Sequence, residues 1–412
     1  MKIYIAGISG TGMGPLALMA KAAGFTVSGS DLSRGAVYEE LVRAGIEVSI
    51  GAQDGEFLKK KLEEGAEWFV YTSALPEDHP ELKVAREAGV RVSKRDELTA
   101  FLVEELGLKM VAVAGTHGKK TTTSIIVFAA LRLGLPVSYI VGTTLGFASS
   151  GSYRAGDRFF VYEADEYDRN FLKYHPWRAV ITCVSYDHPD IYPTREDYTA
   201  AFLEFKAQSE KVIETATDFS AEDFRLAGEA RREDAMKAAE AILEMAREVG
   251  FSASRKKIIE VINEFPGVSR RFERISDGVY SDYAHHPEEI AATIKVAEDE
   301  ARILGKKGVV VAYQPHQNTR QHEVYKDYAQ AFLGATKVFW LPTYLTRENP
   351  ELKILEPAEL INVLENREVA EVSEVGAELE KRLKEYLAEG YLVVLMTAGP
   401  ADGWLREKFS QK

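Results

Sequence analysis

The residues best suited to chemistry lie in one short stretch, residues 111–124, with the sequence VAVAGTHGKKTTTS. Residues 110–114 predict a buried strand, residues 115–118 a tight turn, and Thr121 onward a helix. Two glycines let the backbone approach an anion, the helix N-terminus directs N–H groups toward it, and Lys119 adds a mobile positive charge. The stretch therefore predicts a nucleoside triphosphate site made of Gly115, Thr116, His117, Gly118, Lys119, Lys120, Thr121 and Thr122.

The spacing of this stretch differs from the common phosphate loop. It reads G-x-x-G-K, which is tighter than G-x-x-x-x-G-K-[ST]. Lys120 stands where the common loop has the hydroxyl that meets Mg²⁺. Thr121 or Thr122 can supply that hydroxyl only if the helix start shifts. The alternative interpretation is an ordinary strand-to-helix turn with exposed lysines.

Acidic clusters follow two predicted strands further along the chain. A strand at 159–162 precedes EADEYD at 163–168, and a strand at 177–184 leads into YDHPD at 186–190. Mg²⁺ takes oxygen ligands and shares them with phosphates. The clusters therefore predict a magnesium site near the triphosphate, with solvated turns as the alternative.

A second glycine-rich turn lies near the start of the chain. Residues 2–6 predict a strand, GISGTGMG at 7–14 a loop followed by an apolar helix, and a second strand ends at Ser30 and Asp31. This is the beginning of a βαβ unit, with Asp31 about where a ribose-binding acid lies. The loop predicts a nucleotide diphosphate site, and close helix–strand packing alone is the alternative.

The remaining pattern predicts an α/β protein of several domains. A length of 412 residues suggests two to three domains, and we place them at 1–107, 108–266 and 267–412. Helical spacing predicts that residues 215–262 are helical, with Ser254 as an N-cap. After residue 267, strands alternate with helices, which predicts a parallel sheet with strands near 278–282, 309–313, 337–341 and 392–396.

Composition limits the partners and the compartment. A net charge of −13 argues against nucleic acid and anionic membranes, because both need a basic footprint. No apolar run approaches the roughly 20 residues that span a bilayer. The single cysteine, Cys183, and a first strand directly after Met1 favour a reducing cytoplasm without a signal peptide. We expect a cytoplasmic monomer or dimer.

Nine motifs, taken in order, resemble one known family. They are GISGTGMG, SGSD, YTSA, GTHGK, EADEYDRNF, DHPDIY, FPGVSRRFE, DYAHHP and QPHQNTR, from residue 3 to about residue 325. The succession is similar to that of the Mur ligases, in particular their alanine-adding and peptide-recycling branches. The resemblance implies an N-terminal Rossmann-like domain for a UDP moiety, a central P-loop ATPase-like domain, and a C-terminal Rossmann-like domain that closes over the site.

The resemblance also implies a reaction. ATP with Mg²⁺ would phosphorylate the carboxylate of a UDP-N-acetylmuramate-type precursor, and the amine of a small amino acid, L-alanine first, would attack the acyl phosphate to give an amide. The substrates would be a UDP-sugar carboxylate and an amino acid.

Family motifs assign roles to individual residues of this chain. The implied catalytic set is Lys119, Glu163, His188, Arg271 and Asp282. The implied Mg²⁺ ligands are Thr121, Glu163 and His188. The incoming amino acid would meet Tyr283, His316 and Arg320. The UDP-linked substrate would bind Gly10, Thr11, Gly12, Met13, Ser30, Asp31 and Ser73.

Two other interpretations stay open at the level of sequence. The chain skips residues between about 214 and 224 that would normally complete the central domain, which motivates a ligase of the same fold acting on another carboxylate. Lys120 in place of a hydroxyl residue motivates a binding or regulatory protein that kept the fold and lost catalysis.

Overall fold

The computed structural model describes residues 1–35, 37–72, 75–143, 145–188, 191–346, 348–349 and 351–410. The chain divides into two compact units. The first comprises Met1–Arg225 with Arg232–Phe265, and the second comprises Leu226–Arg231 with Pro266–Lys412. Each unit is built on parallel sheets with helices between the strands, so the predicted α/β class is confirmed. The predicted boundaries at 107 and 266 stay predictions.

The first sheet of unit one has five parallel strands in the order β3-β2-β1-β4-β5. Chain order reverses beside β1, and ligands of open α/β sheets bind at such a switch point. The strands are β1 (Lys2–Ala6), β2 (Thr26–Asp31), β3 (Glu47–Ile50), β4 (Trp68–Tyr71) and β5 (Arg91–Lys94), and the helices are α1 (Met13–Ala22), α2 (Tyr38–Arg43), α3 (Glu56–Glu63), α4 (Pro80–Glu87) and α5 (Arg95–Glu105).

The second sheet of unit one has the order β11-β10-β6-β9-β7-β8, and only the β7–β8 pair is antiparallel. Since β6 is central, the carboxyl ends of β9 and β10 flank the loop that follows β6. The strands are β6 (Lys109–Ala114), β7 (Val137–Ile140), β8 (Gly151–Ser152), β9 (Phe159–Glu163), β10 (Arg178–Ile181) and β11 (Val212–Ile213), and the helices are α6 (Lys119–Leu133), α7 (Arg195–Ala207), α8 (Glu229–Glu248) and α9 (Arg255–Asn263).

Unit two contains a third sheet in the order β12-β13-β17-β14-β15-β16. All its pairs are parallel except β12–β13, as the alternating pattern predicts. The strands are β12 (Glu273–Ser276), β13 (Val279–Asp282), β14 (Val309–Gln314), β15 (Ala335–Trp340), β16 (Ala370–Val372) and β17 (Leu392–Thr397), and the helices are α10 (Pro287–Ile303), α11 (Asn318–Val324), α12 (Pro357–Ile361), α13 (Ala377–Ala388) and α14 (Ala401–Phe409).

Two predicted boundaries near residues 115–122, the predicted phosphate loop, are wrong. The helix begins at Lys119 and not at Thr121, with Gly118 as its N-cap. Two lysines in a first turn oppose the helix dipole, and tertiary ion pairs described below compensate for this. Strand β10 ends at Ile181, three residues before the predicted end at 184. The backbone of the residues that follow it bonds to the phosphate loop instead of continuing the ladder.

The prediction that residues 215–262 are helical is only partly correct. A short 3₁₀ turn covers Ala221–Asp223, and α8 starts only at Glu229. The backbone N–H groups of Thr217 and Asp218 each donate to the Glu240 carboxylate at 3.2 Å, which holds this segment out of a helix. Ser254 does cap α9, because its side chain accepts from the Lys257 N–H.

Buried apolar faces hold each unit together. One continuous core of unit one includes residues of β1, α1, β6, β9 and α7, so the first two sheets share it. In unit two the third sheet has a separate core on each face. Among the described helices, none combines the length and the apolarity needed to cross a bilayer.

A glycine in β2 tests how tightly the first sheet is packed. A Cβ at Gly29 would lie 2.2 Å from the Ile5 carbonyl oxygen on β1. We expect Gly29→Ala to destabilise the protein by about 3 kcal/mol or more, since backbone cannot yield cheaply. Thermal unfolding of the full chain measures this as a clear drop in Tm.

The matched control is Gly146→Ala, because a Cβ there meets no atom within 4 Å. We expect a change within about 0.5 kcal/mol for it. Equal melting temperatures for the two variants would contradict this description of the strand pair.

Candidate active site

The turn between β6 and α6 can be made only with glycine at two positions. Gly115 has φ of +143° and Gly118 has φ of +85°. A Cβ at Gly115 would lie 2.1 Å from the Thr182 hydroxyl oxygen, and a Cβ at Gly118 would lie 2.6 Å from Asp234 Oδ2. Backbone conformation and close packing together therefore require both glycines.

Residues after β10 hold this turn in place. Thr116 donates its N–H to the Cys183 carbonyl at 2.6 Å, and its hydroxyl lies 2.7 Å from the Tyr198 hydroxyl. The Ser185 N–H donates to the same Thr116 oxygen at 2.9 Å. The loop is thus fixed before any ligand arrives, as an anion-binding turn requires.

The ammonium of Lys119 is bound by a carboxylate that the sequence reasoning did not select. Lys119 Nζ donates to the two carboxylate oxygens of Glu166 at 2.9 and 2.7 Å, and to the Gly115 carbonyl at 2.6 Å. Burial raises the pKa of Glu166, although the Lys119 charge works in the opposite direction. Glu166 lay within the quoted EADEYD motif, but spacing alone could not choose it over Glu163.

Glu163 pairs with the second lysine. Lys120 Nζ donates to Glu163 Oε1 at 3.0 Å, and the Glu163 side chain is only 10% exposed. The other oxygen, Oε2, faces Gly142, where a Cβ would lie 3.1 Å away. Gly142 therefore packs closely against this carboxylate, and a side chain there would crowd it. A carboxylate oxygen is a ligand that suits Mg²⁺ in kind.

His188 lies beside the carboxylates of Glu166 and Asp187. Its Nε2 is 3.8 Å from Glu166 Oε1 and 3.6 Å from Asp187 Oδ2, and its ring contacts Tyr167 edge to face. In the described part of the chain, no group of three or more His, Cys, Asp or Glu side chains could hold a metal ion. The predicted ligand set of Thr121, Glu163 and His188 stays a prediction, and Asp190 of the second cluster lies outside the described residues.

Helix α8 contributes two buried charged residues that the sequence analysis did not assign to the site. Asp234 packs against Gly118, as described above, and Lys237 donates to the Thr182 carbonyl. Both side chains are on the helix face that meets the phosphate loop. Charged residues spaced three apart within an alanine-rich helix were the available signal.

The glycine-rich loop after β1 is organised by Asp31. Its Oδ2 accepts the Ser9 N–H at 2.8 Å, and Gly7 donates its N–H to the Ser30 carbonyl at 2.8 Å. Gly10 and Thr11 are exposed, whereas Met13 and Ser30 are buried. The structure therefore brings the predicted residues of this loop together around the start of α1. Ser73, also predicted here, lies outside the described residues.

Two neighbours of this loop escaped the sequence reasoning. Buried Glu81 accepts hydrogen bonds from the Ser30 hydroxyl at 2.7 Å and the Tyr4 hydroxyl at 2.6 Å. Arg95 packs on Gly12, where a Cβ would lie 2.8 Å from Nη1. Neither residue belongs to a spacing motif, so only the fold identifies them.

In unit two, the turn before β12 and the loop after β13 meet around Asp282. This carboxylate accepts the Phe272 N–H at 2.6 Å and the Ala284 N–H at 2.7 Å, and burial raises its pKa. Tyr283 has the Arg270 and Arg271 guanidinium groups at 4.7 and 5.6 Å from its ring centre. Asp282 thus holds the backbone of Phe272 and Ala284 in place. The guanidinium groups of Arg270 and Arg271 and the Tyr283 ring form a polar cluster beside it.

The carboxyl end of β14 brings two more predicted residues together. Burial lowers the pKa of His316, and the charges of His285 and Arg320 lower it further. The ring nitrogen Nδ1 of His316 is buried and has no hydrogen-bond partner among the described residues. Within the same part of the chain, Arg320 forms no ion pair. A neutral imidazole beside such a guanidinium can receive a carboxylate.

Glycine-rich turns after β1 and β6, with paired lysines and carboxylates at the second turn, are typical of nucleotide-binding α/β enzymes. Comparison with known proteins makes the class specific. Three family models match in order: the Mur ligase catalytic domain at residues 2–105, the middle domain at 113–240, and the glutamate ligase domain at 270–399. The chain belongs to the Mur ligase family, whose members are ATP-dependent ligases. The resemblance predicted from the motifs is confirmed.

Individual relatives agree with the family models. The UDP-N-acetylmuramate--L-alanine ligase of Symbiobacterium thermophilum is 32% identical over 469 residues, covering 98% of this chain and 92% of that protein. The crystal structure of the Thermotoga maritima UDP-N-acetylmuramate-alanine ligase superposes with a TM-score of 0.74 at 22% identity, covering 99% and 98%. A murein peptide ligase from Psychrobacter arcticus has a TM-score of 0.58 at 23% identity, covering 99% and 98%.

The pH dependence of one carboxylate tests the geometry in unit two. Burial alone would raise the pKa of Glu289, but the His285 hydrogen bonds and the charges of His285 and Arg271 outweigh it and lower the pKa to about 2. An unfolded-chain glutamate has a pKa of about 4.3, so Glu289 stabilises the fold above that pH and loses this effect as pH falls toward 2.

We expect Glu289→Gln to lower the free energy of unfolding by about 1–2 kcal/mol at pH 7, after allowance for solvent screening, and by clearly less at pH 3. Urea unfolding at the two pH values measures the difference. The exposed neighbour Glu288, replaced by Gln, serves as control. An identical loss at pH 7 and pH 3 would contradict a lowered pKa.

Proposed function

We propose that this chain is an ATP-dependent ligase that joins a small amino acid, L-alanine first, to the carboxylate of UDP-N-acetylmuramate. The observation that carries the proposal is the fixed turn after β6, with Lys119 held at its mouth by Glu166. The relatives reported above are named for this reaction. A carboxylate oxygen attacks the γ-phosphorus, ADP leaves, the amine attacks the acyl carbon, and phosphate departs with the carboxylate oxygen.

Lys119 is proposed to neutralise charge on the phosphoryl group during transfer. Phosphoryl transfer depends chiefly on positioning and electrostatics, which a fixed ammonium supplies. Glu166 aims that ammonium toward the turn. The turn's N–H groups and Thr122 on the first turns of α6 would complete the phosphate contacts.

Mg²⁺ is proposed to accompany ATP, held by Thr121, Glu163 and His188. When bound, it neutralises phosphate charge and polarises the transferring phosphoryl group. The position of the Glu163 carboxylate supports this assignment, because it lies within hydrogen-bond distance of Lys120 in the first turn of α6.

Unit two is proposed to supply the residues that meet the second half of the reaction. Arg271 would stabilise the negative charge of the acyl phosphate, and Asp282 keeps the loop that bears it in position through two backbone hydrogen bonds. Tyr283, His316 and Arg320 are proposed to bind the incoming amino acid, with the guanidinium of Arg320 on its carboxylate.

The UDP end of the substrate is proposed to bind at the loop after β1. The diphosphate would lie on the N-terminus of α1, and Asp31 orders the loop through the Ser9 N–H. The proposed contacts are Gly10, Thr11, Gly12, Met13, Ser30, Asp31 and Ser73. We propose that the reaction takes place in the cytoplasm and that its substrates are the UDP-sugar and the amino acid. We propose that the protein acts as a monomer or dimer, without nucleic-acid or membrane partners.

Two further candidates follow from particular features. Peptide in place of an amino acid would use the same chemistry, as the name of the Psychrobacter arcticus protein indicates for that enzyme. A protein that binds nucleotide without turnover is the other candidate, motivated by the ion pair of Lys120 with Glu163.

Phosphate release separates the three candidates. Full-length protein is incubated with ATP, Mg²⁺, UDP-N-acetylmuramate and, in turn, each small amino acid or the tripeptide L-alanyl-γ-D-glutamyl-meso-diaminopimelate, which the name of one solved peptide ligase contains. We expect release that depends on both the UDP-sugar and L-alanine, and a loss of at least about 100-fold in Lys119→Ala, since removal of one preorganised charge contact costs that much.

The control is Lys173→Ala, an exposed lysine on a 3₁₀ turn of the same unit. It should keep wild-type turnover. Release with the tripeptide and not with amino acids would favour the peptide ligase. No release with any carboxylate and amine would contradict the proposed reaction.

A further inference from the structure

The ion pair between Lys120 and Glu163 is unlike an ordinary surface pair. The Glu163 side chain is 10% exposed and the Lys120 side chain 38% exposed, with Nζ and Oε1 3.0 Å apart. Lys120 follows the phosphate-loop lysine directly, at the position where the common loop has a hydroxyl for Mg²⁺. An ammonium therefore lies on a carboxylate beside a predicted cation site.

We propose that Lys120 is an internal cation that competes with Mg²⁺ for the carboxylate of Glu163. The proposal rests on the proposed function, because it concerns the divalent cation of that site. It adds that Glu163 can hold Mg²⁺ only after the Lys120 ammonium has moved off its carboxylate, so the ion pair weakens the cation site of Thr121, Glu163 and His188.

Local charge supports competition. Lys119 and Lys120 together balance Glu166 and Glu163, so this pair of ion pairs carries no net charge. A loop with one lysine and a hydroxyl would leave one negative charge for a cation to neutralise. A divalent cation at Glu163 would also lie close to the Lys120 ammonium, and like charges a few Å apart repel strongly where solvent is partly excluded.

The geometry indicates competition and not permanent exclusion. Among the described residues, the Lys120 ammonium bonds only to Glu163. Because its side chain is also partly exposed, it can move into solvent. The Lys120 ammonium donates to Glu163 Oε1 and makes no described hydrogen bond to Oε2. Lys119, by contrast, is held by three hydrogen bonds shorter than 3.0 Å and is 12% exposed.

The test measures divalent cation binding directly. Mn²⁺ is titrated into the full-length protein, free Mn²⁺ is read by electron paramagnetic resonance, and each titration is made with and without a non-hydrolysable ATP analogue. The variants are wild type, Lys120→Thr, Glu163→Gln and the double variant. Thermal unfolding verifies that each is folded, and Lys120→Gln replaces Lys120→Thr if the latter is not.

We expect Lys120→Thr to bind Mn²⁺ at least about tenfold more tightly than wild type, because it removes the competing charge. Glu163→Gln should weaken Mn²⁺ binding by a smaller factor in the wild-type background than in the Lys120→Thr background, because the Lys120 ammonium already competes for the carboxylate in the wild type. In the Lys120→Thr background the same change should remove the gain.

The matched control is Lys109→Thr. Lys109 lies at the opposite end of β6 and pairs with Glu248 at 2.5 Å, so the variant alters net charge equally without touching Glu163. Its Mn²⁺ affinity should match wild type. Wild-type affinity in Lys120→Thr, or an equal effect of Glu163→Gln in both backgrounds, would overturn the proposal. Titration without nucleotide keeps this reading separate from any failure of ligase activity.

Discussion

Two adjacent lysines at the start of one helix are the constraint on which the central site depends. The N-terminus of α6 is the positive end of a helix dipole, so Lys119 and Lys120 are unfavourable there unless each meets a negative charge. Glu163, at the end of β9, pairs with Lys120, and Glu166, in the turn after β9, pairs with Lys119. The helix can therefore begin at Lys119 only because β9 lies next to β6 in the sheet.

This dependence connects the fold to the proposed chemistry. The β6–β9 register places Glu163 opposite Val113, one residue from the end of β6. On the other side, β10 brings Thr182, Cys183 and Ser185 onto the turn. A loop fixed from both sides presents its N–H groups without reorganisation, which is what electrostatic stabilisation of a transferring phosphoryl group requires. In unit two, the carboxylates of Asp282 and Glu289 likewise hold loops in place by accepting hydrogen bonds from backbone N–H groups.

Sequence reasoning succeeded where the signal is local. A short apolar run gave β1 at its observed bounds, and the glycine-rich stretches predicted the turns that precede α1 and α6. It failed where the decision is tertiary. The helix begins at Lys119 and not at the predicted Thr121, and no spacing rule could show that Lys119 pairs with Glu166, 47 residues away. The helical spacing around Glu240 likewise gave no sign that its carboxylate would hold Thr217 out of a helix.

Isotope transfer shows whether the chain activates a carboxylate as an acyl phosphate. UDP-N-acetylmuramate carrying ¹⁸O in both carboxylate oxygens is converted with ATP and L-alanine, and the released phosphate is analysed by mass spectrometry. We expect one ¹⁸O atom in each phosphate, because the carboxylate oxygen that attacks phosphorus leaves with it. Amide formation with unlabelled phosphate would contradict it.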